Sequence, residues 1–435
     1  MRVLIIGGGL AGLSAAVELT SCGAEVELVE ATRKLGGRIK AVNLPKTEFQ
    51  ETDYGQHVIS GSYENLFALL KKIGAPEISK SFEELKIFFA VSQNKFYPFD
   101  TTKAAFPFNL LSGLFGLKHL TIAEKVSVIR FLNFVRKAEA DNFGLITAGE
   151  ILSKYCNDDL IKKFWDKILV SIFNTKTEDI SARMLIPVLR KLFLGKKGNE
   201  KIFIPNVSLN QSVIQPAIEY LNNRNFKFSS SEKAVRFLYE KNKVTAVKTN
   251  KRVITNFDFV VSALPHEKLA EIINHPVKSI LEKFAYSPIL TAFIRLKNKL
   301  PFPKGGYILT GSKIADWLFN FGDYVTIVAS NASFFYNKSK KETEKEIIQE
   351  LNRFSTVFSD EIVLNLDLIK IKNATIMSDI RNCGLREQIN SPFSNLLISG
   401  DWVKTVFPPT IENAVFTGFE ATKEICSFKR NENLE

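Results

Sequence analysis

The chain has 435 residues, of which 45% are hydrophobic, and this length suits two interleaved domains around a large core. Its formal net charge of +12 fits an anionic membrane face, a nucleic acid or simply a basic surface. No compact run of basic residues with interleaved aromatics marks a nucleic-acid module, so we expect no nucleic-acid partner. The four cysteines are scattered without a Cys-x-x-Cys or Cys/His cluster, which predicts reduced thiols, a cytosolic protein and no metal site.

The N-terminal residues predict a β-α-β unit that binds a dinucleotide. The apolar run Arg2–Ile6 is typical of a buried strand, Gly7-Gly8-Gly9-Leu10-Ala11-Gly12 follows it, and a helical pattern extends over 13–22. A second strand, Glu25–Val29, ends on Glu30. Because strand, helix, second strand and acidic residue occur in register, a nucleotide site is favoured over an unrelated glycine-rich turn.

The residues of this first loop have separate expected roles. Gly7 permits the tight turn, Gly9 lets the backbone approach a pyrophosphate, and Gly12 lets the helix pack close to the strand. Leu10 and Ala11 are expected among the cofactor-binding residues, and the helix that follows would present free N–H groups and its positive dipole end to the phosphates. The glycine-rich loop therefore predicts where a pyrophosphate binds.

The residues after the second strand indicate which nucleotide binds. Glu30, followed by Ala31, is placed to accept hydrogen bonds from a ribose diol, and its charge argues against a 2′-phosphate. Gly36-Gly37-Arg38 comes soon afterwards. This second glycine pair resembles flavoproteins of the amine-oxidase and carotenoid-desaturase superfamily, in which the loop runs beside the pyrophosphate and the flavin. The resemblance implies FAD, bound along its whole length. Residues 404–408 contain no cysteine for covalent attachment, which predicts a non-covalent cofactor.

The middle of the chain predicts a helical insert. Ser62 can cap an amphipathic helix that Gly74 ends. Residues 104–193 follow a helical pattern that contains the most apolar stretch of the chain, with capping boxes beginning at Thr121 and Thr147.

The other predicted elements define the fold class. Strands are predicted over 86–91, 95–99, 235–239, 244–248, 257–262, 291–296, 307–310, 324–329 and 396–401, and further helices over 341–354 and 410–427. We expect an α/β protein with a Rossmann-like FAD-binding domain, of the glutathione-reductase-like, amine-oxidase type, and an interleaved α+β substrate domain that contains the helical insert 104–193. The predicted ranges are 1–85, 200–268 and 380–428 for the FAD-binding domain, 86–199 and 269–379 for the substrate domain, and 429–435 for a flexible tail.

Further segments resemble one branch of this superfamily. Asp53-Tyr54-Gly55-Gln56-His57-Val58 is similar to the D-N-G-Q-H segment of the squalene-associated FAD-dependent desaturase family, residues 286–291 to its Y-x-P-I-x-T, and residues 399–414 to its terminal G-D-W…P-x-T-I-E-G-A. The likeness runs nearly end to end and keeps this order. It implies hydroxysqualene dehydroxylase activity in bacterial squalene and hopanoid synthesis. Tyr54 and Asn413 stand where the family has asparagine and glycine, and Asn413 bears on how closely the last helix approaches the flavin.

The resemblance and the strand ends together predict the rest of the cofactor site. Asp401, at the end of a core strand, can accept hydrogen bonds from the ribityl hydroxyls, and the helix that begins near Thr410 would point N–H groups at the O2 edge of the flavin. Beyond the first β-α-β unit, the residues expected to line this site are Gly55, Gln56, His57, Val244, Ala263, Gly400, Asp401, Thr410, Ile411 and Ala414.

The implied reaction requires a general acid. Protonation of the allylic hydroxyl releases water, and hydride from reduced flavin then quenches the allylic cation. His57 is the first candidate for the acid, and a histidine bonded to backbone near the flavin is the alternative. Asp53 could orient His57, contact the isoalloxazine or serve only as a turn carboxylate.

The apolar stretch 104–117, flanked by Lys103 and Lys118, predicts contact with a lipid leaflet, and a helical lid over an apolar pocket is the alternative. We therefore expect a cytoplasmic protein bound peripherally to the inner face of the membrane. Its partners would be an apolar isoprenoid substrate and an electron donor for the flavin. The competing functions are a carotenoid desaturase, an amine or protoporphyrinogen oxidase, and a flavin-binding protein without turnover.

Overall fold

The computed structural model describes residues 1–75, 81–358, 362–423 and 425–427, so the predicted tail over 429–435 lies outside the described residues. The strands, in chain order, are β1 (Arg2–Ile6), β2 (Glu25–Val29), β3 (Ala41–Leu44), β4 (Phe49–Asp53), β5 (Ile59–Ser60), β6 (Phe82–Glu84), β7 (Ile87–Ser92), β8 (Lys95–Pro98), β9 (Ile202–Pro205), β10 (Phe226–Ser229), β11 (Ala234–Glu240), β12 (Lys243–Thr249), β13 (Val253–Ile254), β14 (Phe259–Ser262), β15 (Tyr286–Leu296), β16 (Gly305–Leu309), β17 (Trp317–Asn320), β18 (Tyr324–Ser330), β19 (Val363–Ile376) and β20 (Leu396–Ile398).

The α-helices follow the same order: α1 (Leu10–Ser21), α2 (Glu64–Lys72), α3 (Asn109–Gly116), α4 (Ile122–Lys137), α5 (Ala148–Leu152), α6 (Asp158–Leu160), α7 (Asp166–Phe173), α8 (Ala182–Leu194), α9 (Gln215–Asn222), α10 (His266–Ile272), α11 (Lys278–Leu281), α12 (Lys340–Asn352), α13 (Ile380–Glu387) and α14 (Ile411–Glu420). Single π-helical turns precede α7 and α9, over Ile161–Trp165 and Asn210–Ile214.

A parallel sheet organises the nucleotide-binding side of the molecule. Within the described residues its strand order is β10-β2-β1-β14-β20, and every neighbouring pair is parallel. The residues of β1 from Val3 to Ile6 are almost wholly buried, as their continuous apolar run predicts for a central strand. Because the strands are parallel, the residues that follow β1, β2, β14 and β20 meet at one edge of the sheet.

A second, mainly antiparallel sheet forms the substrate side. In the described part of the chain its order is β19-β15-β18-β17-β16-β7-β8, with only β16 and β7 paired in parallel. One face packs on α12 through Ile347 and Leu351. The other face packs on the helical insert, where Trp317 and Phe319 join the core that contains Trp165. The parallel nucleotide sheet and this second sheet confirm the predicted α/β class.

Most predicted elements are present, but the expected cap of α2 was wrong. Thr121 and Thr147 form the expected capping boxes of α4 and α5. Ser62, in contrast, does not cap α2, because its hydroxyl bonds the Ser60 hydroxyl at 2.8 Å.

The β3–β4 hairpin was not predicted. It packs on the substrate sheet, where Phe49 contacts the rings of Phe293 and Tyr324 and the Thr47 backbone N donates to Asp367 Oδ2 at 2.9 Å. The segment between Arg38 and Gly55 therefore connects the two sheets directly.

Candidate functional site

The loop between β1 and α1 leaves the backbone uncovered at Gly9. A Cβ at Gly9 would approach only the Gly37 Cα, at 3.7 Å, whereas a Cβ at Gly12 would lie 2.0 Å from the Gly7 carbonyl oxygen. Gly7 itself has a φ of +103°, which favours glycine. No described side chain caps α1, and its first turn, from Leu10 and Ala11 onward, has no acidic residue. This arrangement suits a pyrophosphate at the helix N-terminus.

Glu30 is held in a fixed orientation at the end of β2. Its Oε2 accepts a hydrogen bond from Gly8 N at 2.8 Å, and its Oε1 accepts from Thr32 N and Oγ1, both at 2.8 Å. The backbone of Glu232 donates to the Glu30 carbonyl at 2.8 Å, while Ala31 is exposed. Glu30 is thus positioned at the sheet edge where a ribose diol is expected.

The sequence analysis placed Val244 at the cofactor site, and this prediction was wrong. Val244 N donates to Asn395 Oδ1 at 2.8 Å, and Asn395 comes immediately before β20. Val244 therefore lies at the amino end of the parallel strands, opposite the glycine loop. The reason is that β12 is the return strand of an antiparallel hairpin, so the chain just before β11, at Ser231 and Glu232, lies beside Glu30 instead.

Ala263 and Asp401 do reach the expected edge. The Ala263 carbonyl oxygen lies 2.9 Å from where a Cβ of Gly7 would be. Asp401 is buried and forms an ion pair with Arg38, whose Nη1 also donates to the Ala374 carbonyl at 3.0 Å. The ion pair brings together the Gly36-Gly37-Arg38 loop and the end of β20, two places predicted along one cofactor.

The start of α14 is ordered by its own N-cap. Thr410 Oγ1 accepts from Asn413 N at 3.4 Å, Ile411 begins the helix, and Ala414 is half-buried one turn further on. Gly400, with a φ of +147°, donates its N–H to the Thr417 hydroxyl of the same helix at 3.0 Å. Strand β20 and α14 are therefore joined at the edge where the cofactor is expected.

Asn413 points into the protein. Its Nδ2 donates to the carbonyl oxygens of Asp401, at 2.6 Å, and Val403, at 3.4 Å, and its Oδ1 accepts from the Thr405 hydroxyl. The larger side chain at this family glycine position thus fastens the loop after β20 and turns away from the space in front of the helix N-terminus.

The segment Gly55-Gln56-His57 lies against the substrate sheet. A Cβ at Gly55 would lie 3.1 Å from Thr291 Oγ1, a buried hydroxyl of β15 with no described partner. Gln56 Nε2 donates to the His57 carbonyl at 3.3 Å. Burial lowers the pKa of His57 to about 4, and no described residue hydrogen-bonds its ring. The imidazole is therefore neutral near pH 7.

Asp53 accepts hydrogen bonds from a segment far along the chain. Both of its oxygens accept from Leu209 N, at 3.1 and 3.0 Å, ahead of the π-helical turn that leads into α9. Burial raises the pKa of Asp53 to about 7, although the bond from Leu209 opposes this shift. Its carboxylate makes no described hydrogen bond to His57, and its partner lies in a distant segment rather than in its own turn.

The family model described as flavin containing amine oxidoreductase matches residues 10–426. The chain belongs to this family. It is 26% identical to a hydroxysqualene dehydroxylase of Zymomonas mobilis subsp. mobilis over 95% of this chain and 96% of that protein. It is 31% identical to a zeta-carotene desaturase of a Synechocystis strain, over 57% of this chain and 51% of that protein. An oxidoreductase from Methanosarcina mazei has the same fold, with a TM-score of 0.72 and 16% identity, over 97% of this chain and all of that one.

Membership of the flavin containing amine oxidoreductase family confirms the prediction of FAD and makes the chain a flavin-dependent oxidoreductase. The bare Gly9 backbone, the oriented Glu30 carboxylate and the buried Asp401 suit the phosphates and hydroxyls of that cofactor. Among the described residues, no cluster of histidine, cysteine or carboxylate side chains is arranged to hold a metal ion. Within the same residues, no helix has the length and apolar character needed to cross a bilayer.

Proposed function

We propose that the protein reductively dehydroxylates a long allylic isoprenoid alcohol, with hydroxysqualene as substrate and squalene as product. The main support is the end-to-end likeness to the Zymomonas mobilis hydroxysqualene dehydroxylase, which covers 95% of this chain. The Gly55-Gln56-His57 segment that suggested the same activity lies against Thr291 of the substrate sheet. Bound reduced FAD supplies the hydride, and an external two-electron donor must restore it.

His57 is the group we assign to loss of the hydroxyl. Its ring has no described hydrogen-bond partner and lies on the segment that contacts Thr291. With a pKa of about 4, the imidazolium is a strong acid that is sparsely populated at neutral pH. Negative charge on a bound reduced cofactor would raise that pKa and favour the protonated ring.

Peripheral membrane binding is the second part of the proposal, and it rests on an exposed apolar surface of the insert. We define this surface by Phe108, which precedes α3, Leu111 and Phe115 of α3, and Ile122 of α4, which are exposed to 64, 37, 47 and 65%. Lys103 and Lys118 flank it in sequence and are exposed. Large exposed apolar side chains beside lysines suit an anionic leaflet, where an isoprenoid substrate resides. Leu114 is only 4% exposed and packs in the core instead.

Carotenoid desaturation is the second candidate, favoured by the 31% identity to the Synechocystis zeta-carotene desaturase over 57% of the chain. The two functions differ in the direction of hydride transfer. Anaerobic incubation of the holoprotein with dithionite and hydroxysqualene should yield squalene by mass spectrometry. Conversion of phytoene or zeta-carotene by oxidised protein, with hydroxysqualene untouched, would establish the desaturase instead.

His57→Gln provides the matched test of the acid, because glutamine keeps a hydrogen-bond donor but cannot transfer a proton at useful pH. The variant should retain FAD, lose turnover by roughly 10²–10⁴-fold, and lose the rise in turnover expected for the unaltered protein as the pH falls. Near-normal turnover would remove His57 from the mechanism and leave the proposed reaction in place.

A further inference from the structure

Arg386 is a buried cation without an assigned role. It lies near the end of α13 and is 2% exposed. Its Nε and Nη2 donate to the Val403 carbonyl oxygen at 3.2 and 2.6 Å, and its Nη1 and Nη2 both donate to the Phe407 carbonyl oxygen at 3.2 Å. The guanidinium thus bonds both ends of one short loop segment.

The charge of Arg386 is not neutralised by an ion pair with any described carboxylate. The two carboxylates that interact electrostatically with it are engaged elsewhere: Glu387 pairs with Arg183 and Lys404, and Asp401 pairs with Arg38. Carbonyl oxygens satisfy the N–H donors but supply only dipoles, and an unpaired buried charge is costly. The local excess of positive charge therefore suits an anion that binds nearby.

The position of Arg386 indicates which part of the cofactor it serves. The bonded loop, residues 401–409, connects β20 to the start of α14. Asn413, in the first turn of α14, donates to the same Val403 carbonyl that Arg386 contacts. If the start of α14 faces the O2 edge of the flavin, as expected from the sequence, the loop that Arg386 bonds adjoins that edge, because Asn413 and the guanidinium share the Val403 carbonyl.

We propose that Arg386 stabilises the negative charge that reduction places on the N1–O2 edge of FAD, and so raises the reduction potential of the bound flavin. Reduction delivers two electrons and one proton, which goes to N5, so the flavin ring gains one net negative charge. A fixed cation in a protein interior acts on such a charge far more strongly than in water. This inference rests on FAD binding, which the proposed function also requires, with its O2 edge at the start of α14, and not on the proposed substrate.

The test compares reduction potentials of the FAD-loaded protein, titrated with dithionite against a reference dye. At the same solution potential, the ratio of reduced to oxidised FAD in Arg386→Gln should be at least tenfold lower than in the unaltered protein. This corresponds to a reduction potential about 30 mV lower. Arg386→Lys keeps the charge but not the planar fork, so its potential should stay close to that of the unaltered protein even if FAD is held more weakly. Arg381→Gln removes the same charge from an exposed position of α13 and should change nothing.

Unchanged potentials in Arg386→Gln, or an equal drop in Arg386→Lys, would show that Arg386 only shapes the loop and would overturn the inference. If the glutamine variant does not fold, the lysine variant still decides, because a potential about 30 mV or more below that of the unaltered protein despite the retained charge would overturn the inference. These measurements need no substrate. Failure to form squalene with the expected potentials would contradict only the proposed reaction.

Discussion

Gly9 and Gly12 belong to the same loop but have opposite surroundings. Gly9 has a φ of −75° and open space where a Cβ would stand, so Gly9→Val should fold and yet block the pyrophosphate. Gly12→Ala would place a Cβ 2.0 Å from the Gly7 carbonyl oxygen, and we expect about 1–3 kcal/mol of lost stability or more. Flavin absorbance after purification measures the FAD content of Gly9→Val. Urea unfolding of the FAD-free proteins measures the stability lost in Gly12→Ala. Normal FAD content in Gly9→Val would contradict the placement of the pyrophosphate.

The buried carboxyl group of Asp53 should make the stability of the protein depend on pH. Its folded pKa of about 7 exceeds the usual 3.8, so between about pH 4 and pH 7 the folded protein holds a proton that the unfolded chain has lost. Asp53 therefore makes stability fall as the pH rises through that window. Asp53→Asn still offers an oxygen to Leu209 N and cannot ionise, so its free energy of unfolding should decline less from pH 4 to pH 7. Parallel plots of unfolding free energy against pH for the unaltered protein and Asp53→Asn would contradict a raised pKa of Asp53.

Residues whose role depends on a local motif could be predicted from the sequence, and residues whose role depends on distant partners could not. Gly7, Gly9 and Glu30 act through neighbours within one β-α-β unit, so spacing alone places them. Arg386 and Glu412 are ordinary helix residues in the sequence, and only the folded chain brings them to Val403 and Asn65. Val244 was misplaced because a strand pattern does not reveal which end of a hairpin lies beside the nucleotide sheet.

At the scale of elements, α2 obtains its N-cap from another helix. Glu412 of α14 accepts hydrogen bonds from Asn65 N at 3.0 Å and Asn65 Nδ2 at 2.8 Å through Oε1, and from Leu66 N at 3.0 Å through Oε2. Glu412→Ala would leave these buried donors unpaired, and we expect a loss of about 1–3 kcal/mol. Glu412→Gln keeps one acceptor oxygen and should lose less. Faster amide hydrogen exchange in the first turn of α2, measured for both variants, would locate the effect there.

Elements with a local sequence signal were predicted, whereas elements that depend on distant packing were missed or misplaced at their ends. The apolar runs of β1 and β14 and the capping boxes of α4 and α5 contain their own signals. Strand β15 begins at Tyr286, earlier than the predicted 291, because its first residues pair with β19. The β3–β4 hairpin has a mixed pattern, and its packing comes from Phe293 and Tyr324, which lie far along the chain.

At the scale of the whole molecule, the exposed apolar surface of α3 and α4 predicts how the protein meets lipid. The holoprotein should float with liposomes that contain anionic lipid, and salt should weaken this binding because Lys103 and Lys118 contribute by charge. Replacing Phe108, Leu111, Phe115 and Ile122 with serine should abolish flotation and leave the folded core intact, since all four side chains are exposed. Leu114→Ser is the matched control: that side chain is buried, so the change should lower stability and leave lipid binding of the folded fraction unaltered. Flotation that survives the quadruple change would assign these helices to a lid over the substrate, and the membrane contact would have to lie elsewhere on the molecule.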